Sequence, residues 1–168
     1  MSTTTEMTAE DLFHRATALA ARNFLAEAAT SFQAIVDQFP EDELADDALY
    51  NVGACLLALN QHRRATQTFK EVIHRYPDAS ISDDSPGRHE TGRTAARAYL
   101  GLVAAHLGQG DVVGARAACD ALARYPDSRI RPAPGIERTF HDVGRSLLLA
   151  AAAEPDDCDE IDVDSLSS

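Results

Sequence analysis

Tryptophan is absent from the 168 residues, lysine occurs once, at Lys70, and aromatic side chains make up only 6% of positions. A core must therefore be filled with small and aliphatic side chains, and the abundant alanine favours helices packed at close range. Positive charge is also scarce. The formal net charge is −12, and residues 154–168 hold seven acids and no base. Residues 1–153 carry the other twenty acids against fifteen bases. Such a surface repels phosphate backbones, which argues against nucleic acid as a partner. Three cysteines, Cys55, Cys119 and Cys158, are an odd number without close spacing. No disulfide framework is expected, and a reducing compartment fits better.

No apolar run approaches the roughly 18–20 residues of a membrane helix, so no membrane partner is expected. The opening MSTTTEMTAEDLF lacks the basic flank and apolar stretch of an export signal, and the expectation is a cytoplasmic protein. Catalytic signatures are missing as well. There is no phosphate loop, no Gly-x-Ser-x-Gly, no His-Glu-x-x-His and no Cys-x-x-Cys. The six histidines are dispersed without ligand spacing. His89-Glu90 reads as a solvated pair. Neither an enzyme, a metal site nor a cofactor is expected.

What the sequence does contain is self-similarity. Three segments end alike, at Gln38-Phe-Pro40-Glu, Arg75-Tyr-Pro77-Asp and Arg124-Tyr-Pro126-Asp. Ahead of the first, Ala28, Phe32, Ile35, Val36 and Phe39 fall at helical spacing. Ala65, Phe69, Val72, Ile73 and Tyr76 repeat those offsets. Gly114, Ala118, Ala121, Leu122 and Tyr125 do so with smaller side chains. Apolar residues at these intervals share one helix face, and each proline then ends its helix. A second helix precedes each, over 9–22, 46–59 and 94–107. Between the two sit Asn23, Asn60 and Gly108, residue types that tolerate a left-handed helix end. Thr8 followed by Asp11 is a capping signature for the first helix.

On these residues the chain resembles the tetratricopeptide repeat family, whose unit is a helix-turn-helix of 34 residues. Its small-residue sites match Ala16, Gly53 and Gly101 in the first helices, and Ala28, Ala65 and Gly114 in the second. The aromatic site matches Phe32 and Phe69, and the closing proline Pro40, Pro77 and Pro126. The third unit departs, with Ala118 at the aromatic site. The aromatic-Pro-acid endings are similar to those of bacterial envelope-assembly adaptors. The expected fold is all-α: a short α-solenoid of three such units, about 9–42, 46–79 and 94–128, with a flexible 1–8. Residues 79–93 read as a polar insertion beyond which the third unit has room to tilt. Arg131-Pro-Ala-Pro-Gly135 reads as a break before a capping or self-association helix over 136–153, with Ile136, Phe140, Val143, Leu147 and Ala151 on one face. The acidic stretch 154–168 reads as a disordered tail, with Glu160-Ile-Asp-Val-Asp164 able to dock as a strand.

The resemblance implies a concave groove lined by first helices, and a protein or peptide as its partner. The positions carried over are Phe13, His14 and Thr17 in unit one, and Asp47, Tyr50, Asn51 and Ala54 in unit two. Tyr99, Leu102 and His106 are those of unit three. This set lacks the Lys and Arg clamp by which some relatives grip a C-terminal carboxylate. An aromatic floor with Asn51 bonding a peptide backbone is expected instead. The runner-up is a self-assembling structural protein, joined through its repeat ends or residues 136–153.

Overall fold

The computed structural model describes residues 7–81 and 89–153. The acidic tail, the first six residues and the middle of the insertion lie outside the described residues. Three consecutive helix pairs form: α1 (Ala9–Ala21) with α2 (Leu25–Gln38), α3 (Ala45–Ala58) with α4 (His62–Arg75), and α5 (Thr94–Leu107) with α6 (Val112–Leu122). A seventh helix, α7 (Phe140–Ala153), packs on α5 and α6. The chain is a short, all-α, tetratricopeptide-like solenoid with one small sheet added. No helix among the described residues is long and apolar enough to cross a membrane.

The pairs turn as their residue types require. Asn23 and Asn60 take φ of 64° and 58°, the left-handed conformation that asparagine tolerates better than most side chains. In the third pair that conformation falls on Gly110, at φ 72°, while Gly108 stays right-handed at φ −62°. The longer turn moves the left-handed residue. It also moves the packing face of α6, which buries Ala115, Ala118, Cys119 and Leu122. The small site expected at Gly114 is therefore Ala115, and the aromatic site expected at Ala118 holds Cys119. The offsets from Ala115 to Cys119 and Leu122 equal those from Ala65 to Phe69 and Val72, so the shift is one residue along the helix.

Unit three does not tilt away. Gly53 of α3 and Gly101 of α5 both face the ring of Phe69, where an added Cβ would lie 2.6 Å and 2.5 Å from ring carbons. Phe69 is fully buried, with the Tyr50 ring centroid 5.6 Å away. Glycine at both places lets α3 and α5 close on one aromatic side chain from opposite helices.

The expected helix over 136–153 is shorter than predicted. Arg129–Ala133 (β2) and Ile136–Thr139 (β3) pair as an antiparallel hairpin, and Glu90–Thr91 (β1) adds to the other side of β2. Pro134 and Gly135, the latter at φ 79°, suit the central positions of a tight turn, so the segment read as a break is the end of β2 followed by the hairpin's two-residue loop. Ile136 is consequently an exposed strand residue. The helix starts at Phe140 because Thr139 caps it. The Asp142 backbone N–H donates to Thr139 Oγ1 at 3.0 Å, and Asp142 Oδ2 accepts from the Thr139 hydroxyl at 2.7 Å. This is the same Thr-x-x-Asp spacing that marks Thr8 and Asp11. A second apolar cluster of Ile81, Ala96, Leu122 and Phe140, with Ile130 packed against it, lies under this ribbon.

Three caps give the fold a pH dependence. The Thr8 N–H and then its hydroxyl hold the Asp11 carboxyl below the usual carboxylate range. The Gly114 N–H does so for Asp111, and the Thr139 hydroxyl and N–H for Asp142. A carboxyl lowered on folding contributes stability that is present above its unfolded pKa and lost as pH falls through the folded one. The contribution of these three caps to the urea midpoint is therefore expected to be constant above the ordinary carboxylate range and to fall below it. Changing Asp11, Asp111 and Asp142 together to Asn should flatten that descent. A triple variant with the wild-type pH profile would refute the assignment.

Candidate functional site

The residues expected in a groove do not all meet. Phe13 is buried in the core, its ring edge-on to Phe32 at 5.3 Å, whereas Leu102, also largely buried, lines a shallow surface depression together with Tyr99. His106 turns to the end of its helix, where Nδ1 lies 2.8 Å from Asp111 Oδ2, and it serves the α5–α6 turn. Tyr99 packs towards α4 of unit two, next to Leu102. It lines a shallow depression with Lys70, Ile73 and His74 of α4, and its hydroxyl accepts from Arg124 Nη2 at 2.9 Å. His14 and Thr17 are exposed on α1, with His14 beside Glu10 at 3.5 Å. Ala54 is half-buried on α3.

Asp47, Tyr50 and Asn51 are brought together at the start of α3. Asn51 Nδ2 donates to the Asp47 carbonyl at 2.9 Å. That bond takes one of the two N–H donors of the amide expected to meet a peptide backbone.

The largest feature of this face was missed in the sequence. Arg97 of α5 stacks on Tyr50 with its Cζ 3.9 Å from the ring centroid. Its Nη1 donates to Asp47 Oδ1 at 3.2 Å, and its Nε lies 2.5 Å from Glu90 Oε2 of β1. The second contact is an ion pair off hydrogen-bond alignment, since neither Nε nor Oε2 completes a bond. The Arg97 side chain is 12% exposed and that of Asp47 1%. Beside them the Thr94 hydroxyl donates to Asp46 Oδ2 at 2.6 Å. Burial pushes the Asp46 carboxyl above the usual range, partly offset by that bond. Burial likewise pushes the Tyr50 hydroxyl up, with Arg97 opposing it. One signal pointed here: Arg97 is the only Lys, Arg, Asp or Glu in Thr94–Leu107. A fixed charge in an apolar helix requires a partner.

The cluster joins α3, α5 and the ribbon, with one guanidinium against two carboxylates. It ties units two and three together on the face where their first helices lie side by side. Successive helix pairs, each packing its first helix on the pair before, define the repeat. Tetratricopeptide repeat family models match residues 47–79 and 88–129. These units are tetratricopeptide repeats. No curated protein matches the chain. The second matched span takes in β1 and the ribbon's Glu90 as well as the third helix pair. Tetratricopeptide repeats generally mediate contacts between proteins.

Cys55 and Cys119 are free and buried, and burial pushes both thiols up. No group of three His, Cys, Asp or Glu among the described residues is placed to hold a metal ion.

Proposed function

We propose that this chain is a non-enzymatic adaptor or chaperone-like scaffold that holds a peptide or protein segment along the face formed by α1, α3 and α5. The observation that supports this is the run of tetratricopeptide units in which the first helices α3 and α5 pack side by side. His14 and Thr17 are exposed on α1, and half-buried Ala54 lies one turn beyond Tyr50 on α3, which carries the Tyr50–Arg97 stack. Phe13 and His106 drop out as contact residues, and Asp47 acts by holding Arg97. Asp46, Asp47 and Glu90 outnumber Arg97 there, so an acidic tail is a poor ligand and neutral or basic segments fit better. A cytoplasmic location is part of the same reading. The likeness to bacterial adaptors rests on the aromatic-Pro-acid endings alone.

Thr17→Arg and Ala54→Arg add bulk to this face. A partner recovered with the wild-type chain should lose about tenfold or more in affinity for the double variant, with circular dichroism unchanged. Affinity within about twofold of wild type would place the working surface elsewhere.

A second reading, self-assembly through residues 136–153, is supported by the exposure of Leu147 and Leu149 on α7.

A further inference from the structure

Equivalent places in the α2–α3 and α4–α5 seams carry different side chains. Phe32 of α2 corresponds to Phe69 of α4, and Gly53 of α3 to Gly101 of α5. On those offsets Gln33, Val36 and Asp37 correspond to Lys70, Ile73 and His74, and Asn51 and Ala54 to Tyr99 and Leu102. In the α2–α3 seam the polar groups are engaged close at hand. Gln33 Nε2 donates to Asp37 Oδ1 at 2.9 Å, Asn51 donates to the Asp47 carbonyl, and Val36 is buried. In the α4–α5 seam Lys70, Ile73, His74, Pro77, Tyr99 and Leu102 line an open depression. Ile73 is only half-buried there, and Tyr99 and Leu102 are larger than the Asn51 and Ala54 they replace.

The rim of this depression is basic. Lys70 is the chain's one lysine, and no acid is among the residues that line the site. Neither Lys70 nor His74 has a hydrogen-bond or ion-pair partner among the described residues. Arg124 stands at the edge, fixed on Tyr99 with Nη2 2.9 Å from the hydroxyl and Cζ 5.4 Å from the ring centroid. It too pairs with no carboxylate among the described residues. Nearby acids are engaged elsewhere. Glu71 pairs with Arg75 at 2.8 Å, and Asp111, which feels Lys70, is held by the Gly114 N–H and His106. Residues 1–153 carry more acids than bases, so uncompensated positive charge beside apolar surface runs against the rest of the chain. An apolar floor takes an apolar side chain, and free cations on its rim select the charge beside it.

We propose that this depression docks a short acidic segment of a partner protein through one leucine or phenylalanine. The anchor side chain sits on Ile73, Pro77 and Leu102, and carboxylates next to it face Lys70 and Arg124. Two positions along a helix are about 200° apart, so Tyr99 points away from Arg97 and the site is distinct from the Tyr50–Arg97 stack. It also takes the opposite charge from that stack, and so adds a second binding site to the adaptor reading.

Fluorescence anisotropy on the full chain tests it, with a labelled hexapeptide carrying one phenylalanine flanked by aspartates. A Kd below about 1 mM is expected for one anchor with its ion pairs. Replacing the aspartates by asparagine, or the phenylalanine by alanine, should each weaken binding about tenfold. Lys70→Glu should do the same with circular dichroism unchanged, because Lys70 is exposed. Binding that ignores the acids, or that Lys70→Glu leaves within about twofold of wild type, would overturn the proposal, as would no binding below about 1 mM. Residues 154–168 hold seven acids with Ile161, Val163 and Leu166 among them, so that stretch is the rival occupant. A chain cut after Ala153 that binds the probe more than about tenfold better would assign the depression to that stretch and overturn the partner reading.

Discussion

Phe69→Ala is expected to remove about 3–5 kcal/mol of stability, enough to unfold a domain of ordinary marginal stability. The ring is fully buried between Gly53 and Gly101, with Tyr50 tilted over it. Its loss leaves a cavity whose walls cannot collapse inward: two of them are helix backbone at the glycine positions. Filling from the other side does not help. Gly101→Val would drive a side chain into the ring and cost about 1–3 kcal/mol through overpacking. The combination Phe69→Leu with Gly101→Ala redistributes volume and should cost less than the sum of the two single changes. Urea denaturation with circular dichroism measures each. A Phe69→Ala loss below about 1 kcal/mol would show that α3 and α5 do not depend on this ring.

Arg97→Met should be the second large effect, at about 3–5 kcal/mol, the usual cost of removing one partner from a buried ion pair. The Asp47 carboxylate is 1% exposed and would lose the guanidinium that faces it. Glu90 would lose the same group, so β1 should loosen together with the α3–α5 contact. Methionine retains much of the apolar stem over Tyr50, which isolates the charge from the packing. The double variant Arg97→Met, Asp47→Asn should recover part of the loss, because an amide does not carry the desolvation cost of a carboxylate. Hydrogen exchange separates the two consequences. Protection should fall at Glu90–Thr91 and at the starts of α3 and α5, while α1 and α2 stay protected. Equal loss across all helices would mean that Arg97 acts on global stability alone.

Much of the architecture is legible locally. The three Pro-terminated stripes, the asparagine turns at Asn23 and Asn60, and the Thr8–Asp11 cap lie within a few residues of what they determine. Helical period, left-handed tolerance and capping are short-range effects. The hairpin of β2 and β3 was legible in part, since Pro134-Gly135 and the Thr139–Asp142 spacing were present but overshadowed by the apolar run that follows. The one-residue shift of α6 from Gly114 to Ala115 was harder. Successive small side chains offer two equivalent stripes, and only the packing of α5 and α7 chooses between them.

The sequence by itself determined the helix pairs, the two asparagine turns and the repeat family, because each depends on neighbours in the chain. It did not determine the face the pairs present. Phe13 shares the helical spacing of groove residues, and burial by neighbouring helices makes it core. Asn51 carries a free amide on paper, and one of its N–H donors goes to the Asp47 carbonyl. The Asp47–Arg97–Glu90 cluster joins residues as far as fifty positions apart. Only the stacking of α5 on α3, with the ribbon laid alongside, brings those charges within ion-pair range, where a low-dielectric setting makes them matter.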